Sequence, residues 1–206
     1  AASISGSSAT SGGTISSNGG SIITVSGIVW STTSFPTIAL VTKTTNGAIS
    51  GTYTSSITGL SPATLYYVRA YATNSIGTAY GPERSFTTLA IAPSISGTSS
   101  ATSITSSTAT AGGTITSDGG ASVTSRGLVY GTSSGASTYS VTTGTGTGTY
   151  TSSLTGLTPA TTYYVRSFAT NSIGTVYGAE TSFTTIAIAP TLTTTAASSI
   201  TKYAAS

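Results

Sequence analysis

Asp118, Glu83 and Glu180 supply every carboxylate side chain in a chain of 206 residues that has no His and no Cys. That inventory bounds the chemistry. Acid–base and nucleophilic catalysis need titratable groups converging on one point: a nucleophile beside its base, or two carboxylates flanking a bond. Glu83 and Glu180 occupy equivalent places in two copies of a repeat, so they do not form a pair. Asp118 lies in Ser117–Gly120, a turn where a short carboxylate serves neighbouring backbone N–H groups. The many serines have no general base. No metal-ligand spacing and no phosphate-binding glycine loop is present. The expectation is a protein that is not an enzyme, with no catalytic residue, metal or cofactor.

Binding chemistry has one candidate. Tyr67, Arg69 and Tyr71, and again Tyr164, Arg166 and Phe168, place aromatics on either side of an arginine at period-two spacing. An outward strip of this kind suits a sugar or a peptide. The competing reading is packing across strands, with arginine stacked on rings for about 0.5–1 kcal/mol per exposed contact. Packing is favoured, because tyrosine is an ordinary outward strand residue. Arg69 with Glu83, and Arg166 with Glu180, form potential cross-strand ion pairs worth about 0–1 kcal/mol. Trp30, the only tryptophan, ends an apolar strand and is read as core or rim.

These side chains are carried by Leu60–Asn74 (LSPATLYYVRAYATN) and Leu157–Asn171 (LTPATTYYVRSFATN). Each reads as a corner followed by a strand of period two. Tyr66, Val68, Ala70 and Ala72 fall on the face assigned to the core. Tyr67, Arg69, Tyr71 and Thr73 fall on the face assigned to solvent. The second core set is Tyr163, Val165, Ser167 and Ala169. The spacing resembles the corner and sixth strand of a fibronectin type III domain, with Ser167 departing from it. The resemblance implies that Tyr66 and Tyr163 are tyrosine-corner residues whose hydroxyls bond to backbone just upstream. The continuations Asn74–Thr88 and Asn171–Thr185 resemble the variant common in bacterial surface proteins.

Composition agrees with an all-β chain. Ser and Thr are roughly two residues in five, well above ordinary usage, and charged residues are 4%. Thr, Val, Ile and Tyr favour strands, and Ser, Gly and Asn favour turns. The net charge of +3 is spread along the chain, without the clustered basic residues that nucleic acid requires. No apolar run is long enough for a membrane-spanning helix. Gly51–Pro93 and Gly148–Pro190 align without a gap; upstream, the first copy carries three extra residues between Trp30 and Gly51. The reading is two tandem fibronectin-type-III-like sandwiches, 1–89 and 93–186, followed by a strand-like extension, 190–206. Strands are expected at Thr108–Thr116, at Val123–Tyr130, at Tyr150–Leu157, over the Tyr-rich segment, and from the NSIG turn through Phe183. Gly144–Gly148 is read as a loop or weak edge. The apolar link Thr88–Pro93 predicts a stiff rod.

The ends of the alignment carry the functional expectation. Ala1–Gly13 aligns with Ala101–Gly113, so the first copy has no counterpart of Pro93–Ser100, where a first strand belongs. Pro190–Ser206 aligns with Pro93–Ala109, the opening of a further repeat. A sandwich lacking a strand exposes backbone and apolar groups that a strand from another chain fills. The donor is read as Pro190, Thr191, Leu192, Thr193, Thr194, Thr195, Ala196 and Ala197, with Leu192 inward. The acceptor begins at Ala1, Ile4 and Thr10. The expected function is a subunit of an extracellular fibre or surface appendage, assembling with itself head to tail. Surface glycans or other cell-surface proteins are its further partners. The alternative is a spacer or binding array in a larger secreted adhesin or polysaccharide-degrading enzyme.

Overall fold

The computed structural model describes residues 1–135 and 138–195, and its regular elements are all strands. The first six are β1 (Ser8–Ile15), β2 (Val25–Ser31), β3 (Gly51–Thr58), β4 (Leu65–Thr73), β5 (Thr78–Tyr80) and β6 (Arg84–Thr87). The next eight are β7 (Ser94–Thr102), β8 (Thr108–Ser117), β9 (Ser125–Gly131), β10 (Tyr139–Gly144), β11 (Gly148–Thr155), β12 (Thr162–Thr170), β13 (Thr175–Tyr177) and β14 (Thr181–Thr184).

The second group forms two antiparallel sheets. One runs β11-β8-β7, and the other runs β10-β9-β12 with β13 and β14 both on the far side of β12. This is the strand order of a fibronectin-type-III-like, immunoglobulin-like sandwich. The first group repeats it with two strands fewer, as β1-β3 facing β2-β4 with β5 and β6: no strand stands at the place of β7, and the place of β10 holds only the isolated bridge of Lys43 to Val29. The chain is therefore all-β, built as tandem sandwiches.

Alternation fills both cores. In β3 Tyr53, Ser55 and Ile57 point inward between exposed neighbours, and in β11 Tyr150, Ser152 and Leu154 do the same. Ile28, Val68 and Ile57 close the first core, and Leu128, Val165 and Leu154 the second.

The strand that carries the Tyr-Arg pattern departs from simple alternation. Tyr71 and Phe168, expected on the wet face, are 4% and 9% exposed. The reason is a cover over the outer face of β2 and β9. In the first sandwich Thr44 N donates to Ile28 O, Trp30 N donates to Thr42 O, and Tyr71 Oη donates to Thr44 O at 2.7 Å. In the second, β10 pairs along β9. Gly27 and Gly127 leave room beneath these covers for the Tyr71 and Phe168 rings. The seventh strand is also split: β13 ends at Tyr177 and β14 resumes at Thr181.

The link between the sandwiches is bonded on both sides. Leu89 N donates to Ser5 O at 3.0 Å, and Ile91 N donates to Gly119 O at 2.9 Å.

Candidate functional site

The edge of β1 is one of two places where the sandwiches differ in their strands, the other being β10. In the second sandwich β7 lies on β8 with Ile95 opposite Ile115, Gly97 opposite Thr114 and Thr98 opposite Gly113. Ile95 packs against the core. The Thr98 hydroxyl accepts from Ser167 N at 2.8 Å, and Ser167 Oγ donates to Gly97 O at 3.2 Å. Ser167, the departure from the repeat pattern, is thus a buried fastening point for β7. The split in the seventh strand explains why it is needed: the amide lies opposite the gap between β13 and β14.

In the first sandwich the same ground is open. A cleft of about 440 Å³ runs along Ser11–Ser17 and is floored by Val68, Ala70 and Tyr53. Ala70 stands where Ser167 stands, and among the described residues no hydroxyl is placed to accept from its amide. Along β1 the described residues make one bridge on this side. Ala2 N donates to Thr10 O at 2.7 Å, and Thr10 N to Ala2 O at 2.8 Å. Thr102 pairs with Thr110 in the same way. Ile4 packs against the core and Ala1 is exposed.

The donor segment is described through Thr195. Pro190, Thr191, Leu192, Thr193, Thr194 and Thr195 are exposed and outside any strand, with Leu192 91% exposed. Ala196 and Ala197 lie outside the described residues.

The remaining candidates serve the scaffold. Tyr66 Oη accepts from Ser61 N, and Tyr163 Oη from Thr158 N, both at 3.0 Å. Each locks the corner that turns the chain into β4 or β12. Arg69 and Arg166 do stack on rings, but on Tyr80 at 4.5 Å and Tyr177 at 4.9 Å, across to β5 and β13. With Tyr71 and Phe168 buried, the aromatic strip is reduced to Tyr67 and Tyr164, both half-buried. Glu83 accepts from Phe35 N, and Glu180 accepts from Ser134 Oγ at 2.6 Å and Gly135 N at 2.7 Å. These donors, the Ser134 hydroxyl first, hold the Glu180 carboxyl below its ordinary value. Asp118 Oδ1 accepts from Gly120 N, as the turn chemistry requires. Trp30 is a core residue.

A pair the sequence reading passed over is Tyr53 and Tyr150. The Tyr53 hydroxyl crosses the core and donates to Gly27 O at 2.8 Å and Tyr71 O at 3.1 Å. The Tyr150 hydroxyl donates to Gly127 O. Burial raises the pKa of both phenols. The signal was available: the two tyrosines recur at matched positions and alternate with Ser and Ile or Leu.

No family model matches the chain. No curated protein matches it either. Among solved structures it is similar to the FN1–FN3 domains of chicken CNTN1, at 17% identity and a TM-score of 0.38. That match covers 88% of this chain and 64% of that one, so the chain spans less than two thirds of that structure. It is also similar to the sensor domain of the anti-sigma factor RsgI4 of Pseudobacteroides cellulosolvens. There the identity is 20% and the TM-score 0.37, over 48% of this chain and 98% of that one. The fibronectin-type-III-like assignment rests on strand order and on the two tyrosine corners.

Proposed function

We propose that this protein is a non-catalytic structural subunit of an extracellular fibre, of the bacterial cell-surface kind. In this reading the segment Pro190–Ala197 of one copy enters the β1 cleft of the next and completes its first sandwich. The observation that carries it is the cleft itself: it occupies the ground that β7 fills in the second sandwich, and Pro190–Thr195, which is exposed, follows the β7 pattern with Thr194 in place of Gly97. Leu192 corresponds to Ile95, and Thr195 to Thr98. Thr195 therefore brings a hydroxyl to the Ala70 amide, as Thr98 brings one to Ser167. Pro190–Ala197 aligns with Pro93–Ser100 and Ala1 with Ala101, so tail and acceptor together rebuild the residues of β7.

The energetics favour the exchange. Burying Leu192 contributes about 1.5–3 kcal/mol, and the ladder bonds satisfy edge groups that otherwise invite non-specific pairing. Because the contact is between unlike surfaces, it propagates instead of closing.

The test is light scattering and negative-stain microscopy of the full chain beside a version ending at Ala189. Fibres from the full chain and short particles from the truncated one support the reading. Two-sandwich monomers from both overturn it and leave the spacer-array alternative.

A further inference from the structure

We infer that the junction between the two sandwiches of one chain is repeated between successive copies. The fibre is then an evenly spaced row of sandwiches. This rests on the strand-donation reading above and adds a second contact surface to it, outside the β1 cleft.

The junction inside the chain has two parts beyond the strand. The first is a clamp on the link. Gly119 O accepts from Ile91 N at 2.9 Å, and Asn171 Nδ2 donates to Ile91 O and to Asp118 O, both at 2.8 Å. The second is a seat for the corner. Ala63, with a φ of 47°, approaches Gly120 so closely that a Cβ there would collide with it.

The first sandwich carries the same two parts without their counterparts. Asn74 Nδ2 donates to Asn18 O at 2.9 Å, the arrangement that Asn171 makes with Asp118. A second cleft of about 440 Å³ runs between Gly19, Ile23 and Asn74–Ala79. Gly20 has open space where Gly120 meets Ala63. The matching pieces sit on the second sandwich of the same chain. Ile188 corresponds to Ile91 and is 62% exposed. Ala160, with a φ of 51°, corresponds to Ala63.

The surface around the open clamp is also more apolar than at the junction already made. Ile22 is 80% exposed where the second sandwich has Ser122, and Ile76 is 85% exposed where Ile173 is 55%. The Ser21 and Ser75 hydroxyls, 2.8 Å apart, hold these two isoleucine loops side by side. Apolar exposure concentrated at one end of a sandwich marks a contact surface. Ile188, followed directly by the Pro190–Ala197 donor, is the segment of a second copy that reaches it.

The experiment uses the full chain and two variants. Ile188→Asp changes an exposed residue and leaves the sandwiches intact. Asn74→Asp keeps the oxygen that accepts from Ile76 N and Gly77 N but removes the Nδ2 donor. Both are expected to raise the concentration needed for fibre growth by about tenfold or more, a loss of one buried contact in each junction. Melting of single particles is expected to be unchanged in Ile188→Asp, and lowered in Asn74→Asp, which also loses the bond to Asn18 O within its own sandwich. Averaged micrographs of wild-type fibres are expected to show one spacing between neighbouring sandwiches. Two alternating spacings, or growth unaffected by both variants, overturns the repeated junction while fibre growth itself upholds strand donation. No fibre from the wild-type chain overturns strand donation and this inference together.

Discussion

Tyr53→Phe removes one hydroxyl and keeps the ring, so it isolates the bonds that join the two sheets of the first sandwich. The hydroxyl donates to Gly27 O and Tyr71 O, residues paired across β2 and β4. A net intramolecular hydrogen bond is worth about 0.5–1.5 kcal/mol. One donor shared by two acceptors therefore gives an expected loss of about 1–2 kcal/mol. For a domain of this size each kcal/mol moves Tm by roughly 4–8 °C. Thermal unfolding followed by circular dichroism at neutral pH is expected to show a drop of about 5–15 °C on those figures. The phenol also gives the prediction a sign in pH. Burial raises the Tyr53 pKa above its ordinary 10.0. A raised folded-state pKa means the contribution is complete below the ordinary value and is lost as pH rises through the folded one. Stability of the wild type is expected to fall above pH 10, and the phenylalanine variant to fall less steeply. A variant that melts within about 1 °C of wild type at neutral pH, where the structure requires at least a weak bond, would refute the reasoning.

Further predictions follow from the same geometry. Ser167→Ala removes the bond to Gly97 O and is expected to cost the second sandwich about 1–2 kcal/mol in urea unfolding; Ala70, already alanine, marks the first sandwich as insensitive to this contact. Tyr71→Ala is expected to cost about 3–5 kcal/mol as a buried aromatic truncation, and Tyr67→Ala under about 1 kcal/mol; equal costs would contradict the covered outer face. Gly127→Ala places a Cβ against the Val141 carbonyl and is expected to strip β10 from β9, read as loss of amide protection at Val141. Glu180 is held below its ordinary 4.5 by Ser134 and Gly135. Its tie to that loop is present above 4.5 and is lost as pH falls through the lowered value. Faster exchange at the Gly135 amide in acid, absent in Glu180→Gln, is the expected signature.

The corner strand was the most legible part of the sequence. Leu60, Pro62, Thr64 and Tyr66 fix a turn and a direction by residue type alone, and the structure puts the Tyr66 hydroxyl on Ser61 N. The repeat also drew attention to the β1 edge, since Ala1–Gly13 aligns with Ala101–Gly113, and a cleft lies along that edge. Tyr71 and Phe168 were misplaced for a physical reason. Alternation reports the two faces of a strand and not what lies over them, and here Thr42–Thr44 and β10 cover the outer face. β10 itself, YSVTTG, is too rich in Ser, Thr and Gly to stand out among loops. The Tyr53 and Tyr150 staples were hidden because tyrosine is common in strands; only their matched recurrence, inward between small residues, distinguishes them. The clamp at Asn171 was beyond reach, since its partner Ile91 lies in a link with no pattern of its own.

The most direct measurement of strand donation uses the absence of native cysteine. In the second sandwich Gly97 pairs with Thr114, and the corresponding residues of tail and acceptor are Thr194 and Thr14. Directly opposed strand residues lie about 4.5–5.5 Å apart at Cα, within the range a disulfide spans. The double variant Thr14→Cys, Thr194→Cys, oxidised during assembly and run on a non-reducing gel, is expected to give a ladder of covalent multimers that collapses on reduction. The two single variants mixed together are expected to give dimers. A monomer band alone, with the thiols still free, would contradict the account.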